Sequence, residues 1–324
     1  ECGAGSAMAA AGLAQMLGGD VKTCLAAASL GLQAVTGLAC DPVAGGVEVM
    51  SRVPYVLKDA RWGKRLQHGV MSDGIWDGLT DPYCGLIMGL TAENLAEKYS
   101  ISRQEQDEVA VRSHNNAENA TLTGKFKEEI MPVEIPQRKG NPIVFDKDEH
   151  FRPGMTMDQL TKLKPSFKPD GTVTAGNASG INDAAAALVL VAEEKAKDLG
   201  VTPIARLVGH GLGAVEPELM GYGPVPATRQ ALQRTGLKLE DMELIELNEA
   251  FAAQYLACEK LLGLSRDITN VNGSGIALGH PVGCTGARII VSLLHEMKRR
   301  GNRLGLATLC VGGGMGQASI WEMC

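Results

Sequence analysis

Residues 270–289, NVNGSGIALGHPVGCTGARI, place a histidine between a glycine and a proline just ahead of a helical run. Glycines let the backbone turn tightly and approach a ligand closely. The pattern predicts that His280 sits in a loop opening a helix at about Gly283, not on a helix face. Such a helix presents free N–H groups to an anion. Taken alone, His280 could equally be a residue that fills or caps a turn. Outward from this stretch, the last third of the chain alternates strand-like and helix-like segments: IARLVGHGLGAV, ATRQALQRTGL, MELIELNEAFAAQYLACEKLL, GCTGARIIVSLLHEMKRRG and LGLATLCVGGGMGQASIWEM. That alternation predicts an α/β fold.

Upstream, residues 4–51 alternate Ala/Gly-rich helical runs with short apolar segments and end in PVAGGVEVMS, which reads as a strand running into a glycine turn. From about Arg52 to Lys168 charges and Asp/Pro/Gly punctuation take over. The amphipathic run ENLAEKYSISRQEQDEVAVRSHNNAENA there predicts a helical, loop-rich insertion, and Ser102 followed by Glu105 has the form of a capping box. GTVTAGNASGINDAAAALVLVAEEKAKDLG then reads as a glycine loop, a buried apolar strand and a charged helix end. Two α/β blocks thus flank an insertion.

A chain of 324 residues accommodates two domains or one large α/β unit with a subdomain. Only 4% of residues are aromatic while 40 are glycine, a mix suited to tight turns and close packing of elements. The net charge of −6 leaves no basic field to hold nucleic acid or an anionic membrane. Eight scattered cysteines, with no CxxC pair and no Cys/His cluster, predict neither a disulfide framework nor a metal site, and they fit a reducing compartment, the cytoplasm. No stretch has the length of a membrane span, and no signal peptide is evident. The sequence begins at Glu1, so an organellar targeting segment ahead of it stays open.

Three further positions carry chemistry. In TLCVGGGMG, Cys310 ends an apolar strand, and the glycines after it would bare backbone N–H groups, the material of an oxyanion hole. In ELNEAFAAQ, Asn248 falls where a buried strand becomes a helix; its amide could cap that helix, hold a water or orient a ring nitrogen. In VKTCLAAASLGLQAV, residues 21–35, Cys24 heads a helical run, where free N–H groups and the helix dipole favour a thiolate. Two thiols and an imidazole together suit nucleophilic catalysis: one thiol attacks, the imidazole takes its proton, and the second thiol moves protons.

NEAFAAQ, GHPVGCTGARI, CVGGGMG and TVTAGNASGIND, in this order and spacing, resemble the signature blocks of the thiolase family, the acyl-CoA C-acyltransferases. The resemblance runs from PVAGGVEVMS to the C-terminus. It implies the thiolase fold: two similar α/β halves in a five-layered αβαβα arrangement with a helical and loop insertion, incomplete at its N-terminal start. Residues 1–51 with 174–199 would form the N-terminal half, 52–173 the loop domain and 200–324 the C-terminal half. It also implies a reaction, thiolytic cleavage of a 3-ketoacyl-CoA or the reverse Claisen condensation. In it His280 activates the nucleophile, Asn248 holds a water of one oxyanion hole, Cys310 is the second acid/base, and Gly312 belongs to the other hole. Arg152, Ala175 and Ser179 are implied for the CoA moiety, and Met88, Met220 and Phe251 for the acyl end. No metal or tightly bound cofactor is implied; coenzyme A and acetyl-CoA are co-substrates, and a homodimer or homotetramer is the implied assembly.

The nucleophile has two candidates. Cys24 precedes a GLQAV helix but stands about one helical turn too close to Ala44, whereas Cys2, in a CGAGS motif, stands too far from it. Cys24 is preferred, because a helix shortened by one turn keeps the same face inward. Ile87 occupies a position where acetoacetyl-CoA-specific members of the family often carry histidine, which points to an acyl chain longer than acetoacetyl. The competing readings are a catalytically silent thiolase-fold subunit that binds acyl-CoA or scaffolds a partner, and a decarboxylative ketoacyl synthase. Cys310 stands against the latter, which would want histidine or asparagine there.

Overall fold

The computed structural model describes residues 43–324 except 59 and 67. Cys2 and Cys24 lie outside the described residues. The strands are β1 (Val43–Val49), β2 (Tyr55–Leu57), β3 (Met71–Asp73), β4 (Val133–Ile135), β5 (Ile143–Phe145), β6 (Asp183–Val189), β7 (Ala205–Ala214), β8 (Leu244–Leu247), β9 (Leu304–Val311) and β10 (Met315–Met323). The α-helices are α1 (Gly74–Gly78), α2 (Met88–Lys98), α3 (Arg103–Leu122), α4 (Met157–Leu160), α5 (Glu193–Leu199), α6 (Pro224–Thr235), α7 (Ala252–Leu262), α8 (Gly275–Leu278) and α9 (Val282–Arg300).

A four-stranded sheet runs in the order β7-β10-β9-β8, antiparallel except for the parallel pair β8/β9. The parallel pair needs a long crossover, and α7, α8 and α9 supply it. Side chains alternate across these strands. Ile245, Leu247, Leu306, Ala318 and Ile320 join the core shared with α6 and α7. Leu244, Ala307, Leu309 and Trp321 face the other way, onto Ile289, Leu293, Leu294 and Met297 of α9. The far side of α9 packs on a second sheet, β1 paired antiparallel with β6. The described residues thus stack as helix, sheet, helix, sheet, with α9 covered by a sheet on each side.

Two expectations change at the second sheet. Gly45 and Gly46 lie inside β1, opposite Ala187 and Ala186, and do not form a turn after it. A Cβ at Gly45 would stand 3.1 Å from the Ala186 carbonyl oxygen, so small residues on both strands permit the close pairing. Strand β6 is not a uniformly buried apolar strand. Its residues alternate between exposed and half-buried, because among the described residues only α9 covers a face of it.

The many glycines of β7 have a packing role. A Cβ at Gly211 would come within 2.1 Å of the Ala227 carbonyl oxygen, so α6 lies directly on the strand backbone. In the insertion, α3 starts with the expected capping box: Glu105 N–H donates to Ser102 Oγ at 3.2 Å, and Ser102 N–H donates to Glu105 Oε2 at 2.7 Å. No helix among the described residues is long and apolar enough to cross a membrane.

Charged groups are buried along α9. Burial alone would raise the Glu296 carboxyl, but hydrogen bonds from Arg300, Asn272 and Arg299 hold it down at about 2. Glu246, 1% exposed on β8, has the opposite fate: its Oε2 finds no partner among the described residues, and burial, opposed by Arg288 and reinforced by Glu249, Glu129 and Glu296, pushes it from 4.5 to about 8. A carboxyl whose folded value is raised supports folding fully below its unfolded value and loses that support as pH rises through the folded value. Stability should therefore decline between pH 4.5 and about 8. Glu246→Gln, which keeps the neutral shape, is expected to stabilise the protein more at high pH than at low pH; urea midpoints of both proteins at about pH 5 and about pH 9 measure the difference.

Candidate active site

His280 sits between α8 and α9, on the turn that the glycine and proline around it predict. Gly279 adopts φ +97°, and a Cβ there would fall 2.6 Å from the Asn182 side chain. That closeness lets Asn182 Oδ1 accept from His280 N–H at 3.2 Å, while Asn182 Nδ2 stands 3.2 Å from His150 Nδ1. The first turn of α9 is held by Glu48 of β1, whose Oε2 accepts from Gly283 N–H at 3.0 Å. Thr285 Oγ1 is 2.7 Å from His280 Nδ1.

Asn248 follows β8, and its N–H donates to the Thr308 carbonyl at 3.0 Å. It does not cap α7, whose N-cap is Phe251. Its Nδ2 instead approaches the His280 ring, 3.4 Å from both nitrogens, and its Oδ1 is buried without a donor among the described residues. The next residue, Glu249, is fully enclosed and accepts from Ser113 Oγ of α3 at 2.5 Å and from Asn270 Nδ2 at 2.9 Å. Burial raises its carboxyl, and these bonds oppose the rise.

Motifs distant in sequence are stitched together by backbone bonds. Ser179 N–H donates to the Ala250 carbonyl at 3.0 Å, and Ala252 N–H to the Asn177 carbonyl at 2.9 Å. The TAGNASG loop is thereby laid along NEAFA. Phe251 meets Phe167 of the insertion edge to face, ring centres 6.2 Å apart, and packs with Met88 against Met220, Ala250 and Cys310.

All of this encloses one largely apolar cavity of about 570 Å³. His280, Cys310, Gly312, Ser179, Met88, Met220 and Phe251 line it, as does Ile87. Asn248 stands behind the His280 ring. Arg152 and Ala175 are exposed and outside the lining; the Arg152 N–H donates to His114 Nδ1 at 3.2 Å. The apolar surroundings set the charge states. Burial, helped by the Arg288 charge, lowers His280 to about 4, and burial lifts the Cys310 thiol to about 12. At neutral pH the site therefore pairs a neutral imidazole, which accepts a proton, with a protonated thiol, which gives one.

Sequence reasoning missed Asp81. Its side chain is buried at the loop between α1 and α2, where Oδ1 accepts from the N–H groups of Tyr83 at 2.8 Å and Cys84 at 3.1 Å. Oδ2 accepts from Gly313 N–H at 2.9 Å, within the glycine turn after Cys310, where Gly313 and Gly314 have φ of +76° and +79°. One carboxylate thus pins the insertion to the turn. In sequence, LTDPY shows only turn punctuation; its partner is 232 positions away. Asp81→Ala would leave three N–H donors without their acceptor, at about 1–3 kcal/mol each when buried. A stability loss of at least about 2 kcal/mol is expected in urea unfolding.

The family description "Thiolase, N-terminal domain" matches residues 20–194, and "Thiolase, C-terminal domain" matches residues 201–323. The chain is 53% identical over 300 residues to an acetyl-CoA acetyltransferase of Chromobacterium violaceum, covering 92% of this chain and 76% of that protein. Among solved structures it resembles the acetyl-CoA acetyltransferase of Bacillus anthracis, with a TM-score of 0.84 and 53% identity over 92% of this chain and 75% of that one. It also resembles human mitochondrial 3-ketoacyl-CoA thiolase in complex with CoA, with a TM-score of 0.84 and 46% identity over 87% and 70% of the two chains. With both halves matched and the imidazole, amide and thiol gathered at one cavity, the chain belongs to the thiolase family.

Proposed function

We propose that this protein transfers acyl groups between CoA thioesters, cleaving 3-ketoacyl-CoA with coenzyme A or running the reverse condensation. The observation that carries the reading is the neutral His280 imidazole and the protonated Cys310 thiol on the wall of one apolar cavity, in a chain of this family. Coenzyme A and acetyl-CoA are co-substrates.

In the proposed sequence, His280 takes the proton of the nucleophilic thiol, Cys24 or alternatively Cys2. The sulfur attacks the 3-keto carbon, and the C2–C3 bond breaks. The electron pair passes to C2 of the departing acetyl-CoA, where Cys310 delivers a proton. Coenzyme A then attacks the enzyme thioester, its thiol proton passing to the Cys310 thiolate, and as the sulfur–acyl bond to the enzyme breaks His280 returns its proton to the departing sulfur. Asn248, whose buried Oδ1 lacks a donor among the described residues, is suited to hold a water beside the imidazole. Gly312 would supply an N–H to the second oxyanion hole. Ser179 is proposed along the pantetheine, with Met88, Met220 and Phe251 at the acyl end. Ala175 is likewise proposed along the pantetheine and Arg152 against the nucleotide, both outside the cavity. Ile87 beside Leu79 and Ile75 on the wall supports acyl chains longer than acetoacetyl.

The same proposal divides the chain into an N-terminal half (1–51 and 174–199), a loop domain (52–173) and a C-terminal half (200–324). It places the protein in the cytoplasm, in fatty-acid β-oxidation, as a homodimer or homotetramer. The exposed apolar side chains of Tyr55, Leu57, Trp62, Leu66 and Met71 around the β2/β3 hairpin support self-association.

Incubation with acetyl-CoA, acid quenching and peptide mapping by mass spectrometry test the reading. Acetyl on Cys24 is the expected result, acetyl on Cys2 reassigns the nucleophile, and no acetylated cysteine overturns the acyl-transfer reading. Cys310→Ala is expected to retain acetylation but lower steady-state thiolysis by about 10²- to 10⁴-fold, the usual worth of a positioned acid/base, as read by loss of 3-ketoacyl-CoA absorbance.

A further inference from the structure

The role of His280 as a base depends on which ring nitrogen carries the proton. Asn248 does not decide this: its Nδ2 is equally far, 3.4 Å, from Nδ1 and Nε2, and so lies along neither lone-pair axis. The close partner is Thr285 Oγ1, 2.7 Å from Nδ1. Thr285 stands one turn into α9, and its hydroxyl also lies 2.9 Å from the carbonyl oxygen of Pro281, four residues back. A carbonyl can only accept, whereas a hydroxyl has one proton to give and lone pairs to receive.

We propose that Thr285 is a positioning residue that fixes the tautomer of His280: its hydroxyl proton goes to the Pro281 carbonyl, its oxygen accepts from Nδ1–H, and Nε2 keeps its lone pair for the nucleophile's thiol. The arrangement couples the tautomer to the helix. The carbonyl that orients the hydroxyl also accepts from the N–H groups of Cys284 and Thr285, at 2.7 and 2.9 Å, in the first turn of α9. Asn182 and Glu48 hold the two ends of this turn through His280 N–H and Gly283 N–H. The ring is thus carried by the helix start, and the helix start determines which nitrogen is bare. The catalytic consequence rests on the proposed function; the tautomer itself does not.

Nitrogen-15 NMR of histidine-labelled protein, with the His280 signals identified by their loss in His280→Gln, reads the tautomer without turnover. Wild type and Thr285→Ser are expected to show Nδ1–H with a bare Nε2. Thr285→Val, similar in shape but without the hydroxyl, is expected to populate the other tautomer. Its acetylation rate with acetyl-CoA should fall about 10- to 100-fold, short of the roughly 10⁴-fold loss when a triad histidine is held in the wrong tautomer, because valine leaves Nδ1 unpaired without re-pairing it. Thr285→Ser should restore the wild-type rate. A wild-type signal for Nε2–H, or an unchanged tautomer in Thr285→Val, overturns the proposal. A wild type with Nδ1–H that transfers no acyl group overturns the proposed function instead.

Discussion

Everything in the site depends on α9 being buried on both sides. Its Ile289, Leu293 and Met297 fill the space under the four-stranded sheet, and its other face lies on β1 and β6. A helix clamped between two sheets has little freedom to slide or rotate, since each face must keep its own set of contacts. Its N-terminus is therefore fixed against the ends of β8 and β9, and those ends carry Asn248 and Cys310. The histidine stands on the turn entering that helix, so packing the core also brings the imidazole to the thiol.

Burial then does chemical work. Reactive groups of neutral form need no ion pair to hold them, and the apolar cavity supplies the condition that keeps them neutral. The same low polarity that lowers His280 raises Cys310. One environment thus prepares an acceptor and a donor of protons at the same pH. Glu249, buried nearby, is stabilised differently, by direct bonds from Ser113 and Asn270 that tie the insertion's long helix to the site's floor.

Much of this was legible in the sequence wherever the signal is local. The alternation of strands and helices after residue 204, the capping box at Ser102, the loop position of His280 and the strand end at Cys310 each follow from a few neighbouring residues. The misreadings arose where the deciding partner is remote. AGG looks like a turn until β6 supplies alanines opposite it, and the β6 segment looks fully buried because apolar composition does not report that, among the described residues, only one face is covered. Asp81, Asn182 and Glu48 could not be singled out, since each is defined by a backbone N–H far along the chain. Thr285 stood inside a quoted motif, five residues after the histidine, but its meaning needs the ring's orientation.

The Asp81 carboxylate accepts from its own loop and from the glycine turn alike, and this makes the insertion and the turn thermodynamic partners. Coupling between two sites is reciprocal: whatever free energy the insertion gains by seating against an ordered turn, the turn gains equally from a seated insertion. Any contact that settles the loop around Asp81 would favour the ordered backbone after Cys310 by the same free energy. The energetic distance between that loop and the turn after the thiol is then the length of one side chain.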